Sequence, residues 1–256
     1  MRTDDDETDQ SNWKHQIFRD DGIPAIGQRL GVSYLQSKME YVELNVGSHS
    51  LKLFQTSMGI MAISGVVWDA GFCLTDYMIN NPELTAAAHV LDVGCGTGVC
   101  GLSAILLGAS TVTFTDITQP PSLDENISQL PEDYRSKANF VAYDWSAEEI
   151  SSELLCPSAL EGVLFDDSSW DIVLCSDLLY DQVAHAPLLR FLRQIQFKKI
   201  LFGYKRRNDL SEKEFFRMLC QFCDIRVIEP ENFKLHNLSF SATSGLFIII
   251  ATPKII

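Results

Sequence analysis

The stretch "VLDVGCGTGVCGLSA" (Val90–Ala104) packs four glycines into eight residues, between a run that reads as a strand and one that reads as a helix. At the first strand-to-helix turn of an open α/β sheet, glycine permits positive φ and lets a ligand approach backbone that any Cβ would block. Gly94, Gly96 and Gly98 are expected to form that turn. A helix starting near Gly98 would present free N–H groups and a positive dipole end, which suit a carboxylate or a phosphate. Dinucleotides and S-adenosylmethionine both carry such a group. The spacing leaves them open, because Gly96-x-Gly98-x-x-Gly101 also satisfies the dinucleotide fingerprint.

The flanking sequence extends an alternation of strands and helices. HVLDV (89–93), DIVLCS (171–176), KILFGY (199–204) and LFIIIA (246–251) are apolar almost throughout, as parallel strands covered on both faces require. TVTFTD (111–116) and NFVAYD (139–144) have the same length and a weaker pattern. Helices are expected between them, three opened by a Ser-x-x-Glu capping box: Ser122 with Glu125, Ser146 with Glu149, and Ser211 with Glu214. FFRMLCQFCDIRV (215–227) reads as the end of an apolar helix. The order predicts an α/β fold, a doubly wound Rossmann-like sheet with helices on both faces. Ahead of it, YVELNVGSHSLKLFQ (41–55) reads as a hairpin turning near Gly47 and Ser48, and Ala70 to Met78 as a helix.

The opening MRTDDDETDQ is expected to be part of a disordered acidic tail over 1–12. Residues 13–256 are expected to form a single domain, with an N-terminal extension to about residue 85 and a core from about 86. A formal net charge of -14 repels nucleic-acid phosphates and steers basic partners, so no nucleic-acid partner is expected. Seven cysteines, mostly within apolar runs, read as reduced intracellular thiols; the protein is expected in the cytoplasm, with the nucleus open. Cys220 and Cys223 form one CxxC without a second pair, and the five histidines show no ligand spacing, so no metal is expected. LFIIIA falls far short of the roughly 20 apolar residues of a membrane span, and no membrane partner is expected. The two Asn-x-Ser sequons, at Asn126 and Asn237, carry no weight in a chain expected to remain intracellular.

The second strand of the core ends at Asp116, where a carboxylate can accept from two ribose hydroxyls of either nucleoside cofactor. Other segments separate the two. Asp92 ahead of the turn gives an acidic-x-Gly-x-Gly-x-Gly pattern that resembles motif I of class I S-adenosylmethionine-dependent methyltransferases. WDIVLCSDLLYD (170–181) puts Asp177 and Tyr180 at the end of the fourth strand, and GVVWDAGFCLTDYM (65–78) puts Trp68 ahead of the turn. With Asp144 and Trp145 after the third strand and FGYKRRNDLSEKEFF (202–216) after the fifth, these segments resemble the seven-β-strand protein-lysine methyltransferases of the methyltransferase-like 21 group. The resemblance covers roughly residues 40 to 252. Cys95, Cys100 and Ser176 depart from its pattern, and 151–169 reads as an insertion.

The resemblance implies a seven-stranded, mostly parallel sheet, S-adenosyl-L-methionine as cofactor, and a protein substrate bearing an accessible lysine. It lays the methionyl part of the cofactor along Gly94, Cys95 and Gly96, with Asp92 and Gly98 completing the motif. The ribose falls on Asp116, and Trp68, Trp145 and Ser176 complete the pocket; Trp170 is left to core packing. Asp177 is the expected catalytic group, orienting the amine and stabilising its charge, with Tyr180 adding its hydroxyl or ring face. A carboxylate there also raises the pKa of the acceptor amine, although only the neutral amine attacks; an apolar channel is the expected offset. Three other readings stay open: a nicotinamide-dependent oxidoreductase, a nucleic-acid methyltransferase, and a binding protein that keeps the fold without activity.

Overall fold

The structure is a computed structural model that describes residues 12–18, 39–56, 63–157, 169–238 and 243–254. The expected acidic tail, apart from Asn12, and residues 158–168 of the apparent insertion lie outside the described residues. The chain runs through α1 (Asn12–Ile17), the hairpin strands β1 (Tyr41–Val46) and β2 (His49–Phe54), and α2 (Asp69–Asn80). It continues with β3 (His89–Val93), α3 (Val99–Leu106), β4 (Thr111–Asp116), α4 (Leu123–Ser128), α5 (Glu132–Arg135) and β5 (Ala138–Ala142). Then come α6 (Ser152–Leu155), β6 (Ile172–Ser176), α7 (His185–Gln194), β7 (Ile200–Lys205), α8 (Asp209–Leu219), β8 (Cys223–Ile228) and β9 (Leu246–Pro253).

Strands β3 to β9 form one sheet in the order β5-β4-β3-β6-β7-β9-β8. The first five are parallel, and β9 runs antiparallel to both of its neighbours. Alternate strand residues feed two cores. Val90, Leu174, Leu201 and Ile248 pack with the hairpin, α2 and α3, whereas Leu91, Val173, Phe202 and Ile249 pack with α1, α7 and α8. Burial on both faces is why the central strands read as nearly continuous apolar runs. The hairpin alternates instead, burying Val42, Leu44, Val46, Leu51 and Leu53 at about 1.5–3 kcal/mol each.

Strand order reverses at β3. The chain steps outward through β4 and β5, then returns to the other side of β3 as β6. In such sheets the crevice outside the carboxyl ends of the two strands flanking this reversal is where ligands bind. Val93 pairs with Cys175, so the glycine turn and Ser176–Asp177 leave the sheet side by side.

Several local expectations are corrected. LFIIIA is a buried strand, but it is antiparallel, because an apolar run records burial and carries no direction. Residues 223–228 form β8 instead of prolonging a helix; among the described residues this edge strand pairs with β9 alone, so its pattern is mixed and resembles no clear period. None of the three capping boxes forms. Ser122 sits in helical conformation without a capping bond, and 146–149 is not helical. At α8 the cap is Asn208, whose side chain accepts from the N–H groups of Leu210 and Ser211, while Glu214 turns to Arg217.

Candidate active site

Gly94, Gly96 and Gly98 all have positive φ, at 59°, 52° and 82°. A Cβ on Gly94 would stand 2.6 Å from Leu178 Cδ2 and 3.2 Å from Trp145 Cζ2; one on Gly96 would stand 2.9 Å from the Ser64 carbonyl oxygen. At both positions conformation and space exclude a side chain. Gly98 is the N-cap of α3 and, being glycine, brings no side chain to cap it. Asp92 is buried beneath the turn, where its Oδ2 accepts the Gly101 N–H at 2.8 Å. Burial pushes its carboxyl up to about 8. Asp92 thus braces the turn from inside and does not open onto the crevice.

Asn126, fully buried, ties the turn to the hairpin. Its Oδ1 accepts from the Phe54 N–H at 2.6 Å, and its Nδ2 donates to the carbonyls of Phe54 and Thr97 at 3.1 and 2.9 Å. Its sequon is therefore internal structure. Asn237 likewise spends its amide on Asp76 and Asn45.

Asp116 reaches the turn from the end of β4. Its Oδ2 accepts the Gly96 N–H at 3.1 Å and its Oδ1 the Ile117 N–H at 2.9 Å. Burial raises its pKa against the pull of those two donors. Trp145 lies against Gly94, and its indole nitrogen is buried with no hydrogen-bond partner among the described residues. Trp68, partly exposed, donates its indole N–H to the Ile63 carbonyl at 2.8 Å and precedes α2. Cys95 packs its side chain into the core. The Ser176 hydroxyl faces Gly71 and the Cys100 thiol, beneath the turn. Trp170 is fully buried and bonds the Leu154 carbonyl, a packing role as expected.

Asp177 adopts φ 57°, ψ 35°, a left-handed conformation that costs a non-glycine residue roughly 1–2 kcal/mol. Its N–H donates to the Gly203 carbonyl at 2.8 Å, and its carboxylate is held by Arg207 through two parallel bonds: Nη1 to Oδ1 at 2.6 Å and Nη2 to Oδ2 at 2.7 Å. After it, Leu178 and Leu179 turn inward and Tyr180 outward, 51% exposed. The Tyr180 hydroxyl is pushed up by burial and by the carboxylates of Asp181, Asp116 and Asp177, so three acidic groups converge on this mouth.

The run Lys205-Arg206-Arg207 is the part that sequence reasoning missed. Lys205 forms a buried ion pair with Asp69 at 3.1 Å, Arg206 donates to the Ile17 carbonyl at 2.6 Å, and Arg207 clamps Asp177. Three consecutive bases at the end of a buried strand were the available signal: such charges need partners. The CxxC cysteines are free thiols, both raised by burial, and no cluster of three or more His, Cys, Asp or Glu stands ready for a metal among the described residues. Among those residues no helix is long and apolar enough to cross a membrane.

The solved structure of SMU.776, assigned as a methyltransferase and complexed with S-adenosylhomocysteine, is similar in fold, with a TM-score of 0.50 at 12% identity over 84% of this chain and 56% of that one. Among curated relatives, the protein N-terminal and lysine N-methyltransferase efm7 of Schizosaccharomyces pombe is 29% identical over 57% of this chain and 51% of its own length. The electron transfer flavoprotein beta subunit lysine methyltransferase of Danio rerio is 24% identical over 70% of this chain and 63% of its own. The protein N-lysine methyltransferase METTL21A of the same fish is 28% identical over 60% and 64%. The matched part thus spans between half and two thirds of these relatives. The lysine methyltransferase family model matches residues 45–222, well over half of the chain, and the chain belongs to that family.

Proposed function

We propose that the protein is an S-adenosylmethionine-dependent N-methyltransferase whose acceptor is a lysine ε-amine of a protein substrate. The observation that carries this reading is the meeting, at the reversal point of the sheet, of a glycine turn that admits no Cβ with a carboxylate held in left-handed conformation. The crevice fits the cofactor. It offers bare backbone and a helix N-terminus whose N-cap is glycine for a carboxylate, Asp116 for a ribose, and an indole N–H in need of an acceptor. S-adenosylmethionine bound there supplies a methyl group activated on a sulfonium.

The protein's own groups do the rest. The turn and α3 hold the carboxylate end, Asp116 accepts from the ribose, and Trp145 and Trp68 form aromatic walls beside a cation. Gly94, Cys95 and Gly96 contribute backbone, and Ser176 supports the floor. As the acceptor nitrogen gains positive charge, Asp177 orients it and stabilises that charge, so its contribution is largest in the transition state. Tyr180 borders the same mouth. The net charge of -14 favours a basic protein partner, and the seven cysteines, none of them in a disulfide, fit a reducing compartment, which we take as the cytosol with the nucleus open.

The test is incubation with labelled S-adenosylmethionine and cell extract, with mass spectrometry of the labelled product. Methyl groups on lysine are expected. Asp177→Asn should keep cofactor affinity within about twofold and lose about 100-fold in turnover. Label on a protein α-amine would reassign the acceptor, and label confined to RNA, DNA or a small metabolite would overturn the reading.

A further inference from the structure

Asp177 carries a difficulty as a catalytic group. A bare carboxylate beside a lysine amine holds it as ammonium, and ammonium has no lone pair with which to attack. In the structure that carboxylate is not bare. Arg207 covers it with a two-pronged guanidinium at 2.6 and 2.7 Å, with side-chain exposures of 7% for Asp177 and 24% for Arg207. The guanidinium is itself fixed: Nη1 also donates to the Lys205 carbonyl at 3.2 Å, and the Arg207 N–H donates to both oxygens of Glu212 at 3.1 Å. Glu212 is fully buried and accepts the Tyr204 hydroxyl at 2.6 Å.

We propose that Arg207 is a positioning residue that sets the charge state of the acceptor: by offsetting part of the Asp177 charge it lets the lysine bind as the free amine, while leaving carboxylate lone pairs to receive the N–H groups and stabilise charge as it develops. Each carboxylate oxygen has two acceptor sites, and the guanidinium fork takes one from each. Arg207 has no proton to give at any working pH, so it acts purely as fixed charge. The inference rests on the proposed reaction. In that reaction the amine lone pair forms the new N–C bond as the C–S bonding pair passes to sulfur, and the surplus proton of the product ammonium leaves to water.

The other charges around this point do not replace Arg207. Asp116 from β4 and Asp181 beyond Tyr180 add negative charge at the mouth. Glu212 from α8 and Tyr204 from β7 stand behind Arg207. Lys205 is paired with Asp69, and Arg206 reaches the Ile17 carbonyl. Among these groups Arg207 is the cation placed on Asp177.

The experiment measures the initial rate of methyl transfer from tritiated S-adenosylmethionine into cell-extract protein, less the rate without added enzyme, across pH for the full chain, Arg207→Met and Arg207→Lys. Arg207→Met should shift the rising limb of the rate profile upward by about one to two pH units, costing roughly 10- to 100-fold at pH 7 and recovering most of it near pH 10. Arg207→Lys, a point charge without the fork, should shift the limb by less. Cofactor affinity should stay within about twofold for both. A loss by the same factor at every pH, or no loss at pH 7, overturns the proposal; a purely structural role predicts the former. Should Arg207→Met fail to fold, as melting temperature would show, the limb of Arg207→Lys decides. A wild-type enzyme that labels no protein amine would instead sink the reaction assignment, so the two failures read differently.

Discussion

Asp116 holds the glycine turn and, in the proposed reading, would also accept from the cofactor ribose. Facing the Gly96 N–H at 3.1 Å, it tethers the turn, and its position at the end of β4 is where a ribose would be met. Asp116→Ala should weaken S-adenosylmethionine binding by about 1.5–3 kcal/mol, the range for hydrogen bonds to a charged partner, as read by calorimetry. Unchanged affinity would remove Asp116 from the pocket. This residue and the glycines could be read from sequence because both signals are local: a spacing, and an acidic residue at the end of a strand. Asp92 lies in the same motif yet points inward to Gly101, a distinction that the pattern does not contain. Asp177 could be placed at a strand end, but its clamp could not be seen, since Arg207 lies 30 residues away and reaches it only because β6 and β7 are neighbours.

Among the elements, α2 is tied to the sheet by a charge pair. Asp69 opens the helix, Lys205 closes β7, and the side chains are 5% and 3% exposed. Buried pairs contribute little relative to apolar replacements, but removing one partner strands the other charge. Asp69→Ala should therefore cost about 3–5 kcal/mol in urea unfolding, whereas the double replacement Asp69→Leu with Lys205→Met should recover most of that loss. If the single variant unfolds like the wild type, the pair has no such part in the fold. The elements that sequence reasoning captured best are those whose environment repeats along the chain, namely the doubly covered strands β3, β6 and β7. Edge strand β8 and the direction of β9 were missed because pairing partners, not local burial, define them. The Ser-x-x-Glu patterns misled for a related reason: a cap needs a helix that starts there, and Asn208 starts α8 three residues before Ser211.

Across the whole molecule, acidic groups are buried in several layers at once. Asp76 in α2, Asp92 in β3, Asp116 at the end of β4 and Glu212 in α8 all have their pKa raised, in each case chiefly by burial, with Asp92 pushed up to about 8. In the unfolded chain these groups titrate near 3.9–4.3, so between about pH 4 and pH 8 the folded protein holds more protons than the unfolded one. Their contribution is complete below the unfolded values and is lost as pH rises through the folded ones. Asp171 is opposite in sign: its burial is outweighed by Lys198 and the His89 N–H, its pKa is lowered, and its contribution fades only in acid. The four raised groups make the melting temperature fall as pH rises between about 4 and 8, whereas Asp171 adds its loss only in acid. Asp92→Asn isolates the Asp92 contribution, because an amide oxygen can still accept the Gly101 N–H but cannot ionise. That variant should flatten the upper part of the profile, and high salt should not, since a charge so deeply buried is poorly screened. An equally steep fall in Asp92→Asn would mean that Asp92 does not titrate in this range.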